Sequence, residues 1–241
     1  MNLPSTAVKT ELELTPSPDV VHAITSRKSI RAFLPDPVPK ETIERILRVA
    51  SRAPTGVNIQ PWKVHVLMGD ALTRLSAEIL RAHDNPDPES PHDWEYVCYP
   101  TEWTSPYIER RRKVGFALYS LLGIEKGDKA RMHAQHGRNY TFFGAPVGMI
   151  FTIDRVLGQA SWLDYGMFLQ NIMTLARSAG LDTCTQAAFG MFPKIVGPQL
   201  GISPSEMVLC GMALGFADPD APENTLRSDR AGVDEFATFH D

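Results

Sequence analysis

Ser26-Arg27-Lys28-Ser29-Ile30-Arg31-Ala32-Phe33 gathers three cations and two hydroxyls into its first six residues. Twenty residues further on stands Ala53-Pro54-Thr55-Gly56-Val57-Asn58-Ile59-Gln60-Pro61-Trp62. A phosphorylated cofactor needs fixed positive charge for its phosphate and neutral hydrogen-bonding groups for its ring and sugar chain. Arginine forks and hydroxyls serve the first need; Thr, Asn and Gln serve the second. A basic cluster on its own is usually a solvated turn, and Pro54-Thr55-Gly56 on its own is ordinary helix-stop chemistry. Helix-stop chemistry does not explain Asn58, Gln60 and Trp62 equally well.

The rest of the chain places these segments in an α+β layout. Residues 18–26 can form a short helix that delivers the Arg27 cluster. In 39–51, Ile43, Ile46, Leu47 and Ala50 recur at i, i+3, i+4 and i+7, an amphipathic helix stopped by Pro54 and Gly56. Lys63 to Met68 reads as a strand, and Asp70 as the N-cap of a helix reaching His83. Five prolines and four aromatics between Asp84 and Pro106 exclude regular structure and point to an ordered covering loop. Ser105-Pro106 starts a helix that Gly123 ends, and a further helix is expected over 128–142. Ala145 to Ile153 reads as a buried strand. Ser161 is expected to cap a long helix to Ala179, with Gly180 after its end. Leu181 to Thr185 is a short strand, 193–200 a helix and 207–214 an apolar central strand. The order predicts one sheet packed between helices, without internal repeats.

Composition narrows the function. The 241 residues are 43% hydrophobic and 22% charged, an ordinary globular balance. A net charge of −4 gives no footprint for nucleic acid or an anionic membrane. No run approaches the ~18 apolar residues of a membrane helix, and the polar segment 1–18 lacks the apolar core of a secretory signal. Cys98, Cys184 and Cys210 are odd in number and outside any CxxC pattern, which fits reduced thiols in a cytoplasmic protein. No nucleophile elbow and no Gly-x-Gly-x-x-Gly fingerprint occurs. His133 and His136 stand three apart with no third ligand suggested nearby, so no metal is expected.

The two opening segments resemble those of the nitroreductase family of FMN-dependent NAD(P)H oxidoreductases, and the resemblance runs from about Val20 to the C-terminus. It implies a single domain, 1–241, with a mainly antiparallel central sheet flanked by helices, and an intertwined homodimer with FMN at the interface. Arg27, Ser29 and Arg31 match Arg-x-Ser-x-Arg/Lys; the implied roles are phosphate and ribityl contacts for Arg27 and Ser29, assisted by Lys28. Arg31 falls near the flavin N1–O2 edge, where a guanidinium stabilises the charge left by two-electron reduction. Pro54, Thr55, Gly56 and Asn58 match the loop that reaches the partner's flavin. Thr185, Gln186, Ala187 and Ala188 occupy the turn that sends a backbone N–H toward N5 and O4, although many members carry a proline, an acidic residue and a glycine there. Arg230, with Arg227 second, matches the arginine that closes on the phosphate, within Asn224-Thr225-Leu226-Arg227-Ser228-Asp229-Arg230-Ala231. The tail, 218–241, would then cross to the partner through Val233, Phe236 and Phe239.

The substrate side follows the same resemblance. Residues 84–142 correspond to the insertion that covers the flavin, longest in nitroaromatic-reducing members. Trp94, Trp103 and Tyr107 could stack on an aromatic acceptor. Arg110 to Lys113 could attract a carboxylate or nucleotide phosphates, although a solvated helix face accounts better for at least two of these four cations. The expected activity is ping-pong transfer of two electrons from NADPH or NADH to a nitroaromatic compound. The alternatives are a reductase of quinones, activated alkenes or aryl halides, and a flavin-binding or redox-sensing module without turnover.

Overall fold

The centre of the molecule is a pair of strands with no polar face. In the computed structural model, which describes residues 19–240, β2 (Val147–Asp154) is buried from Val147 to Ile153, and β4 (Glu206–Gly215) from Val208 onward. The polar segment 1–18, read above as carrying no secretory signal, and Asp241 lie outside the described residues. Strands covered on both faces need continuous apolar runs, and both sequences supply them. They pair antiparallel, flanked by the edge strands β1 (Lys63–Met68) and β3 (Asp182–Gln186), giving the order β1-β2-β4-β3 with every pairing antiparallel.

Helices cover each face, as the α+β layout predicts. On one face α2 (Lys40–Ala50) and the long α6 (Gln159–Ser178) bury Ile43, Ile46, Tyr165 and Phe168 against Met149, Phe151 and Met212. Burying each such large side chain contributes about 1.5–3 kcal/mol. On the other face α3 (Gly69–Asp84), α7 (Pro193–Leu200) and the 3₁₀ segments Arg138–Gly144 and Ala187–Met191 pack on Ile150, Val208 and Ala213. Glycines in the central strands set the height of these segments. A Cβ at Gly148 would lie 2.6 Å from the Phe142 ring, and one at Gly211 would collide with Phe189. Phe142 and Phe189 lie stacked, centroids 4.5 Å apart. The two 3₁₀ segments are thereby pressed onto the sheet beside each other.

Several expected boundaries differ. The helix expected over 128–142 stops early: α5 is Lys129–Gly137, capped by Asp128, whose carboxylate accepts from Arg131 N at 3.0 Å. Beyond it Phe142 and Phe143 take left-handed φ values of 50° and 55°, a turn imposed by seating Phe142 on Gly148 rather than by local preference. Asp70 is not a cap; α3 begins at Gly69 and Met68 holds the cap position without a side-chain bond. Ser161 is not a cap either, because α6 starts two residues earlier and Ser161 is buried within its first turn. The covering helix α4 (Tyr107–Leu121) begins after Pro106 and buries none of its residues, and α1 (Asp19–Ser26) and the short α8 (Val233–Phe236) complete the helices. No helix among the described residues is long and apolar enough to cross a membrane.

Candidate active site

Beyond α1 the chain runs extended along the end of β3. Ser29 bridges Thr183 in parallel, and Ile30 N donates to Thr183 O at 3.1 Å. Ile30 is buried, so the alternation of an extended chain turns its neighbours the other way. Arg27, Lys28, Ser29 and Arg31 line a cavity of about 610 Å³, closed on the far side by Arg227 and Arg230. Two sequence segments about 200 residues apart thus meet. Among the described residues the half-buried Arg27 guanidinium has no hydrogen-bond or carboxylate partner. Arg230 Nη1 bonds only within its own loop, to Ser228 Oγ and Asp229 O, each at 2.8 Å. Burial, and then the Arg230 charge, lower the Arg27 guanidinium from its ordinary value. A desolvated arginine facing a second arginine is stabilised by an anion between them. The phosphate end of a flavin nucleotide fits this donor set.

Not every cation there is free for an anion. Lys28 Nζ donates to Asn224 O at 2.6 Å, and Arg227 Nη2 to Thr25 O at 2.5 Å. Asn224 itself is the clamp on the cluster. Its Oδ1 accepts from Arg31 N (2.8 Å) and Ala32 N (3.2 Å), while its Nδ2 donates to Ala32 O (2.7 Å) and Asp218 O (2.9 Å). Next to it, the almost buried Glu223 receives Arg138 Nη1 at 2.5 Å, and Arg138 Nη2 holds Arg31 O at 2.8 Å. Sequence reasoning gave Asn224, Glu223 and Arg138 no role. An Asn and a Glu in a polar tail carry no local signal of contacts with residues more than 80 positions away.

A second cavity, about 300 Å³, opens on the other side of Arg31. Gln186, Ala187 and Ala188 line it with Asn139, His136 and Tyr99. Ala187 and Ala188 open a 3₁₀ turn, whose first N–H groups have no acceptor inside the turn. Their methyl groups permit a flat ring to approach the backbone. Gln186 is 2% exposed; its Nε2 donates to Asn139 O at 2.6 Å, and its Oε1 has no partner. Arg31 borders both cavities and joins the anion end to the ring end.

The loop 53–62 is not brought to either cavity. Pro54, Thr55, Gly56 and Asn58 lie beside α6, with Gly56 N donating to Asp164 Oδ2 at 3.1 Å. Val57, Asn58 and Gln60 hold left-handed φ of 44°, 61° and 50°, and Val57 is 93% exposed. That conformation is strained for the β-branched Val57 and milder for Asn58. In the covering segment, Trp94 packs on Gly190, Tyr96 OH donates to Leu209 O at 2.5 Å, and Trp103 leans on Tyr99 at 5.9 Å. Tyr107 is 60% exposed. Trp94, Trp103 and Tyr107 line neither cavity. The histidine pair does have further neighbours: His83, Asp84 and His133 come within 4.8 Å of one another. The rings of His83 and His133 stack at 3.9 Å and 6°, His83 Nε2 lies 3.2 Å from His133 O, and His133 Nε2 contacts Asp84 at 2.9 Å.

The model of the nitroreductase family matches residues 24–216. The chain belongs to the nitroreductase family. It is 42% identical to the 4-nitrobenzoate reductase of Pseudomonas putida over 90% of this chain and 93% of that protein. The crystal structure of the FMN and NADPH-dependent nitroreductase NfnB from Sphigopyxis sp. strain HMH superposes with a TM-score of 0.88 at 36% identity, covering 92% of this nitroreductase and 99% of that chain. The FMN-dependent NfnB of Mycobacterium smegmatis, solved in complex with NADPH, gives 0.86 at 29% identity over 92% and 98%. The fold expected from the opening segments, an antiparallel sheet between helices, is the one observed.

Proposed function

We propose that this chain is an FMN-dependent NAD(P)H nitroreductase that reduces nitroaromatic compounds. The observation that carries this reading is the pair of cavities meeting at Arg31, one lined by four arginines without a carboxylate partner among the described residues, the other by amides and small residues. FMN, when bound, would supply the hydride acceptor and the two-electron donor of the reaction. Arg27, Ser29 and Arg230 hold the phosphate, with Arg227 and Lys28 fixing the loops around it. Arg31, its backbone fastened by Asn224 and Arg138, supplies positive charge at the N1–O2 edge. The N–H groups of Ala187 and Ala188 would be donors for the flavin ring, and Gln186 holds their turn against Asn139. A donor nucleotide and a nitroaromatic that used this site in turn would give ping-pong kinetics.

The working unit is a homodimer. Pro54, Thr55, Gly56 and Asn58 serve the partner's flavin, which accounts for a strained loop presenting Val57 to solvent and lining neither cavity of its own chain. Val21 and Ile24 on α1, Leu163 on α6, and Phe236 and Phe239 in the tail are 51–82% exposed, apolar side chains that a second copy would bury. Within 84–142 the covering loop and α4 form the lid that carries Trp94, Trp103 and Tyr107, while Tyr140 and Phe142 at its end pack on the sheet, and 218–241 is the tail that crosses to the partner. Three free cysteines suit a cytoplasmic location. Anaerobic stopped-flow tests the activity: NADPH should bleach the bound flavin, and a nitroarene should restore its colour. A protein that takes up no FMN, or whose flavin NADPH leaves oxidised, would refute it.

A further inference from the structure

The four cations Arg110 to Lys113 of α4 separate by their partners. Arg110 lies 3.1 Å from Glu235, and Lys113 is paired with Asp229, so both fasten the helix to the tail. Arg111 and Arg112 have no carboxylate partner among the described residues. Arg111 lies over the indole of Trp103, its guanidinium carbon 4.9 Å from the ring centroid. Trp103 leans on Tyr99, and Tyr99 lines the ring-end cavity with Arg31, Ala187 and Ala188. Burial chiefly raises the Tyr99 phenol from its ordinary value, and Arg111 is the cation that opposes it, so the charge is felt at the cavity wall.

A guanidinium resting on an aromatic face keeps its N–H groups free in the plane and is already immobilised. That is the geometry a carboxylate takes bidentately, and a neutral substituent gains little from it. We propose that Arg111, set on Trp103, binds the carboxylate of a nitrobenzoate-type acceptor whose ring lies against Tyr99. The enzyme then prefers carboxylated nitroaromatics to neutral ones. This rests on the nitroreductase activity proposed above.

The test compares the FMN-loaded wild type with Arg111→Met, Arg111→Lys and, as a control, Arg112→Met. Steady-state rates are measured with 4-nitrobenzoate and 4-nitrobenzyl alcohol, and benzoate, which has no nitro group, is titrated against the flavin absorbance. Removing a bidentate charged contact should raise KM for 4-nitrobenzoate about 10-fold and weaken benzoate binding to a similar degree. The alcohol should change less than about 2-fold, Arg111→Lys should be intermediate, and Arg112→Met should match wild type. Equal loss on both nitroarenes, or no loss of benzoate affinity, would overturn the assignment. A wild type that reduces neither nitroarene would instead refute the activity, and the benzoate titration would still decide the role of Arg111.

Discussion

Replacing Asn224 with Ala removes a single side chain that is 6% exposed and makes four hydrogen bonds. Ala32 O keeps a second donor, Asp218 N at 3.0 Å, so it stays satisfied. The N–H groups of Arg31 and Ala32 do not. Leaving a buried donor unpaired costs about 1–3 kcal/mol. Two such donors, partly relieved by local relaxation, give an expected loss of roughly 2–4 kcal/mol. For a chain of this size that corresponds to a fall in Tm of roughly 5–15 °C. Asn224→Asp separates the amide from mere bulk. It keeps the acceptor for both N–H groups but turns an oxygen toward the carbonyls of Ala32 and Asp218, so it should also destabilise. Thermal melting of apoprotein and of protein with excess FMN reads the effect, and FMN affinity should fall with it because the Arg27 to Arg31 segment is no longer held. A Tm for Asn224→Ala within 1 °C of wild type, with unchanged FMN affinity, would refute the clamp.

Arg31→Ala should slow flavin reduction by NADPH more than it weakens FMN retention, and Arg230→Ala should do the reverse; stopped-flow rates and FMN titration separate the two. Gly211→Ala drives a methyl group into Phe189 and should destabilise by about 1–3 kcal/mol in urea unfolding, lifting the Ala187 turn and loosening FMN. Desolvation, then the neighbouring His83 and His133, hold the His136 imidazole below its ordinary value. The unfolded chain therefore binds that proton more readily. Its contribution to stability is complete above the free pKa of ~6.5 and is lost as pH falls below it. His136→Asn should flatten the pH dependence of Tm below about pH 6.5, and an unchanged slope would exclude this origin.

The parts of this enzyme readable from sequence are those whose chemistry is local. β2 and β4 show as unbroken apolar runs because both of their faces are covered. Arg27, Ser29 and Arg31 show as a cluster because they stand close together in the chain. The end of α5 was not legible, since Phe142 enters the left-handed region to lie on Gly148, and no short-range signal announces that contact. Nor was Asn224, whose partners at Arg31 and Ala32 stand more than 190 residues away. The cations of α4 illustrate the middle case. Their number was plain, but only the fold divides them into two tied to the tail, one resting on Trp103, and Arg112, without a carboxylate partner among the described residues.

The most direct measurement is the affinity of the apoprotein for FMN against riboflavin, with Arg27→Ala and Arg230→Ala alongside. If the facing guanidinium groups hold a phosphate, FMN should bind at least 100-fold more tightly than riboflavin, as expected for several charge-assisted bonds. Each variant should then erode that ratio while leaving riboflavin affinity nearly unchanged. Equal affinities for FMN and riboflavin in the wild type would contradict the assignment of that cavity.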